Sequence, residues 1–171
     1  GLVTITDGEL SSSGGEIRLI NGLDISGGEV EILDSSLVIG SELENVVSLI
    51  QSGGTFLADT SSLQLLQNLI IQSTEGLTFF SLDLNSFELT LTSETSDLSL
   101  GEFILIDEES ERIDTGEADL DLKNGISISA GEISSTAGTV SLSNSTNFSG
   151  GTISISSGGL ALGGELDRKS T

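Results

Sequence analysis

The chain has no proline, cysteine, histidine, methionine, tryptophan or tyrosine, and six phenylalanines are its only aromatic residues. Without cysteine there are no disulfides, zinc–thiolate sites or thiol nucleophiles, although this does not fix the compartment. Without histidine a Ser–His–Asp triad is excluded, while Ser–Lys chemistry is merely implausible. Cations are scarce as well: Arg18, Arg112, Lys123, Arg168 and Lys169 face 27 acidic residues, for a net charge of −22. That balance offers no basic footprint for nucleic acid. An anionic membrane surface would repel it too. No apolar run approaches the length of a transmembrane helix, and no charged start with an apolar signal region is present. The first residue is Gly1, which reads as an internal or processed piece of a longer chain whose targeting signal lies elsewhere.

What remains is a restricted alphabet of Ser, Gly, Leu, Ile, Glu and Asp, with 36% of residues hydrophobic. This is more apolar than a disordered chain, so something is buried. At 171 residues a single elongated domain spanning 1–171 is expected. A narrow alphabet suggests repetition, and repeats are present. Gly14-Gly15-Glu16-Ile17, Gly27-Gly28-Glu29-Val30 and Gly53-Gly54-Thr55-Phe56 are spaced by thirteen and then twice thirteen residues. Near the other end Ala137-Gly138-Thr139-Val140, Gly150-Gly151-Thr152-Ile153 and Gly163-Gly164-Glu165-Leu166 recur at thirteen.

Between the glycine pairs lie short alternating runs such as Leu23-Asp24-Ile25, Ile126-Ser127-Ile128 and Leu160-Ala161-Leu162. A strand therefore begins every six or seven residues, apolar side inward and polar side outward. Few of the turns suit isolated hairpins. The expected fold is all-β, a parallel β-helix or β-solenoid with three short strands per coil. Roughly 19 or 20 residues per coil gives eight or nine coils and, at a strand spacing of about 4.8 Å, a rod of about 40 Å. A two-sided coil with a thirteen-residue turn stays open on spacing alone. Glycine pairs suit the corners, where positive φ is needed. The segments Glu42 to Ile50 and Leu63 to Ile71 are ambiguous between helix and strand, and strands are favoured because alternating runs follow directly.

The Gly-Gly-x-Ile segments and the run Leu82-Asp83-Leu84-Asn85-Ser86-Phe87-Glu88-Leu89-Thr90-Leu91 resemble rungs of right-handed parallel β-helices in filamentous-haemagglutinin-like adhesins and autotransporter passenger domains. The polymorphic outer-membrane proteins share the Gly-Gly-x-Ile repeat, but this chain lacks their regularly alternating Phe-x-x-Asn companion. Right-handedness follows from the resemblance and from the usual hand of parallel crossovers. The resemblance implies a bacterial protein at the cell surface or outside the cell.

The densest acidic cluster is Asp107, Glu108, Glu109, Glu111 and Asp114, with Arg112 among them. Paired carboxylates serve glycoside hydrolysis, but adjacent acids without an aromatic sugar platform read better as a structural loop. Asp119 and Asp121 alternate with leucines and should project from one strand, with Glu117 in the same set. Calcium favours oxygen donors of this kind. The calcium-binding nonapeptide and the EF-hand loop are both missing, so a solvated acidic strand is expected. Glu117, Asp119 and Asp121 are the weak candidates for a bound ion, and Glu29 with Glu31 stands alike. Two sequons occur, at Asn144-Ser145-Thr146 and Asn147-Phe148-Ser149.

The expected function is structural or adhesive, without enzymatic activity and without a cofactor other than the calcium just weighed. A host or glycan surface is the kind of target it would meet. Ile153, Ile155, Leu160 and Leu162 carry the pattern almost to the end, which implies covalent continuation in a longer protein or end-to-end stacking of copies into a homo-oligomer or fibre. The alternatives are a carbohydrate-active lyase or hydrolase on the same fold, and a calcium-dependent binding module.

Overall fold

The computed structural model describes residues 1–41, 46–93, 95–102 and 104–163, with the backbone of 166–168. Its secondary structure is entirely β. Each strand pairs in parallel with the equivalent strand of the next coil, so that eight coils stack into a solenoid, as expected from the alternation. The first four coils are β1 (Val3–Ile5) with β2 (Glu9–Leu19), β3 (Leu23–Ile25) with β4 (Glu29–Ile39), β5 (Val46–Gln51) with β6 (Thr55–Leu65), and β7 (Asn68–Ser73) with β8 (Leu77–Asp83). The next two are β9 (Glu88–Leu91), β10 (Leu98–Leu100) and β11 (Ile104–Ile106), then β12 (Arg112–Asp114), β13 (Leu120–Leu122) and β14 (Ile126–Ile128). The last two are β15 (Glu132–Ser135), β16 (Thr139–Leu142) and β17 (Thr146–Phe148), then β18 (Thr152–Ile155), β19 (Gly159–Leu162) and β20 (Leu166–Arg168). One face runs from β1 to β18, a second from β2 to β19, and a third from β11 to β20.

The later coils thus have the three short strands expected, whereas the earlier ones have two, the second of which bends. In β4 the inward side chains are Val30 and Ile32 before the bend and Ser35, Leu37 and Ile39 after it. Asp34 stands between them at φ 48, and this one left-handed residue switches the phase of the alternation. The bend frees backbone groups that a buried hydroxyl track satisfies. Ser35 N–H donates to Ser61 Oγ (3.0 Å), Ser61 Oγ donates to Ile32 O (2.7 Å) and Ser35 Oγ donates to Leu33 O (2.7 Å). The ladder therefore continues through the corner as one strand.

The thirteen-residue glycine spacing is not a coil. Gly138 precedes β16, Gly151 precedes β18 and Gly163 follows β19, so the spacing steps over roughly two thirds of a coil to a different corner each time. The coil itself is set by the register: Val3 lies beside Leu23, Leu23 beside Leu49, Leu49 beside Ile71, and Ile113 beside Ile133. Of the ambiguous segments, 46–50 lies in β5, and Leu63 to Ile71 spans the end of β6 and most of β7 with a bend at Leu66 and Gln67 between them. Positions 42–45 lie outside the described residues, as do Gly164 and Glu165 of the last glycine repeat.

Stacked Leu, Ile and Val fill the interior, and Leu23, Leu49, Ile71, Leu89, Ile113 and Ile133 are all fully buried along one face. On the inner side of the second face Phe56 and Phe79 meet edge to face, with ring centroids 5.7 Å apart. Gly28 and Gly54 occupy one corner in successive coils, at φ 72 and 71. A Cβ at Gly54 would lie 2.5 Å from the Gly28 carbonyl oxygen, so stacking and backbone conformation both require glycine. Gly14, at φ +83, has nothing within 4 Å of such a Cβ. Gly54→Ala is accordingly expected to cost about 3 kcal/mol, and Gly14→Ala about 1 kcal/mol of backbone strain alone. Urea titrations of the two variants test this, and equal losses would contradict the proposed close approach.

Candidate functional site

Glu117, Asp119 and Asp121 follow one another along the turn into β13, and no three potential metal ligands come together among the described residues. Asp119 is engaged between coils. Its own N–H donates to Asp97 Oδ1 (2.9 Å) and its Oδ1 accepts from Thr139 N–H (2.6 Å). Asp97, Asp119 and Thr139 each stand at the entry to a strand of the second face, so two carboxylates cap the next coil's first amide in turn. Asp121 lies on the outer side of β13 between Ser99 and Ser141, and Ser143 Oγ donates to it at 3.4 Å. Glu117 is exposed in the preceding turn. Glu29 and Glu31 point outward from β4, paired with Thr55 and Leu57 of the next coil.

The Asp107 to Asp114 segment is the corner from the third face back to the first. At its centre Glu111 is only 6% exposed. Its Oε2 accepts from the N–H groups of Asp107 (2.9 Å) and Glu108 (3.2 Å), and its Oε1 from Ser86 N–H of the coil before (3.4 Å). A buried carboxylate is tolerable only with such donors, and here they close the loop and tie it to its neighbour. Ser86 Oγ donates to Glu108, which adds a second tie. Arg112 pairs in register with Glu88 on one side and Glu132 on the other, and its Nη2 lies 2.8 Å from Glu132 Oε2. Half exposed, that ion pair is worth at most about 1 kcal/mol.

Asparagines serve the corner between the second and third faces. Asn124 Nδ2 donates to Gly101 O, and Asn144 Nδ2 donates to Lys123 O (2.7 Å) and Asn124 Oδ1 (3.2 Å). The two sequons therefore differ. Asn144 is held in this ladder and Thr146 is 3% exposed on the inner side, whereas Asn147 and Ser149 both face solvent. The sequence alone did not single out Asp97, Glu111, Asn124 or Asn144 for these roles. The signal was available in part, because Asn124 and Asn144 stand 20 residues, one coil, apart.

No protein-family model matches the chain, and neither a curated protein nor a solved structure matches it.

Replacing Glu111 by Ala is expected to cost about 2–3 kcal/mol, since three backbone donors lose a charged acceptor. Asp119→Ala removes one exposed capping bond and is expected to cost about 1 kcal/mol. Chemical unfolding of the two variants gives the ranking, and a neutral Glu111→Ala would show that the loop is not held as described.

Proposed function

We propose that the chain is a structural or adhesive rod segment of a secreted or cell-surface bacterial protein. One observation carries this: the polar side chains that bond to anything bond mainly to the neighbouring coil, as at Asp119, Asn144, Ser61 and Asn124. Such side chains build length and stiffness along the stack. The resemblance to adhesin and autotransporter rungs supports the bacterial and extracellular part of the proposal. A net charge of −22 keeps a rod of this kind dispersed.

The last described coil also supports growth along the axis. Leu160 and Leu162 are 47% and 46% exposed, although their column partners Val140 and Leu142 are 0% and 1% exposed. Covering the two leucines with one more coil would contribute about 1 kcal/mol each, in addition to pairing the free strand edge. The added coil is either further chain or the first coil of a second copy.

Sedimentation and negative-stain microscopy across a concentration series test the second case. Rods are expected to lengthen with concentration in the unaltered chain and to stay single in a Leu160→Glu, Leu162→Glu variant. Single rods of constant length in both would overturn stacking and leave a spacer within a longer chain. Since Asp119 already binds two coils, millimolar calcium is expected to leave the melting temperature within about 2 °C, where occupancy well above the dissociation constant would give several kcal/mol. A large rise would return Glu117, Asp119 and Asp121 to consideration as ion ligands.

A further inference from the structure

The outer surface of the second face differs from the other two. Glu9, Glu29, Glu31, Asp59, Asp97 and Asp119 point outward along it from five of the first six coils, and Arg18 of β2 is the one cation in its described strands. The one ion pair among the described residues, Arg112 with Glu132, lies on the first face. Within this acidic surface is an apolar patch. Leu57 is 42% and Phe80 46% exposed, and Leu33 is half-buried on the outer side of β4. Register places the three together. Glu31 pairs with Leu57 and Ala58 with Phe79, so Leu33 and Phe80 lie on the diagonals that flank Leu57 in the coils before and after. Neighbouring coils are about 4.8 Å apart, which brings diagonal large side chains into reach of one another.

Apolar side chains this exposed gain by being covered, and the carboxylate among them sets the sign of what can cover them. Asp59 stands between Leu33 and Phe80 in the ladder, Glu31 lies beside Leu57, Glu29 stands two residues before Glu31, and Asp34 is at the bend beside Leu33, while the other described neighbours, Ser13, Thr55 and Thr78, are uncharged. We propose that this face docks a basic amphipathic polypeptide segment, its apolar side chains on Leu33, Leu57 and Phe80 and its Lys or Arg side chains on the surrounding carboxylates. The charge complementarity selects the partner's sign, because a neutral or acidic segment would desolvate these carboxylates without return. It also separates this surface from the coil ends, so that docking and axial growth do not compete.

The test uses the folded chain and two labelled peptides of equal length, one alternating lysine and leucine, the other lysine and serine. Fluorescence anisotropy is read at low salt and at about 1 M salt, where charges are screened beyond about 3 Å. The lysine–leucine peptide is expected to bind more tightly at both, and Leu57→Ser with Phe80→Ser to weaken it roughly ten-fold, in line with the loss of two half-exposed apolar contacts. The lysine–serine peptide should not distinguish that variant from the parent. Val46→Ser with Ile70→Ser on the first face is the control and should change neither. Equal binding of the two peptides would reduce the effect to net charge and overturn the proposal. So would equal weakening by the first-face control, or no weakening by the Leu57 and Phe80 replacements in a variant whose unfolding midpoint shows it folded.

Discussion

Parallel stacking in register is the constraint on which everything else depends. When each strand lies directly on its equivalent one coil earlier, every side chain has as its nearest lateral neighbour the residue at the same position in the next coil. A position must then be compatible with its own kind. Apolar columns meet this inside without further conditions, which is why Leu, Ile and Val suffice for nearly the whole core. Hydroxyls and amides meet it at corners, where a donor on one coil finds a carbonyl or hydroxyl on the next, as along Ser12, Ser35 and Ser61.

Carboxylates do not meet it, since like charges directly opposite destabilise a sheet. A chain with 27 of them has to keep them apart, and the register does so. Asp24 faces Thr4 and Ile50, Asp114 faces Thr90 and Ser134, and Asp121 faces Ser99 and Ser141. Glu88 and Glu132 face each other only across Arg112. Glu9 beside Glu29 is the one direct acid pair within the described strand pairs, and Asp97 and Asp119 stack just before β10 and β13, where the Asp119 N–H donates to Asp97. High net charge and stacked coils thus coexist because most strand acids in one coil alternate with uncharged side chains or a cation in the next. That alternation is a property of the coil length, and it is invisible to a reading of one strand at a time.

The same distinction explains what could be read from the sequence. Inward and outward positions follow from alternation within three to five residues, so the architecture and the core at Leu120, Leu122, Ile126 and Ile128 were legible. The average coil of about 20 residues and the number of coils were legible as well, whereas the longer coil from Leu23 to Leu49 was not, and the glycine spacing was no guide to it because glycine pairs mark corners and corners of different kinds share the same residue. The bend at Asp34 was hidden for a related reason: one left-handed residue inside a continuous strand leaves no glycine or gap to mark it. Glu111 read as one acid in a cluster of five. Only the backbone donors that converge on it separate it from Glu108 and Glu109, and convergence is a tertiary fact.

These assignments bear on how the acidic surface is to be understood. Carboxylates that cap amides or fold a loop, such as Asp119 and Glu111, are already satisfied, and an ion or a reacting sugar would have to compete with backbone donors for them. Carboxylates with no such commitment, such as Glu29 and Asp59, stand on an open face and beside apolar side chains. A surface of that kind has weak hold on a small ligand, which needs a concave site to be desolvated. It suits a long partner laid across several coils, where each contact is modest and their number supplies the affinity. The repeat that spaces the coils would then also space the contacts, so that the reach of the partner, rather than the chemistry of any single residue, sets how tightly it is held.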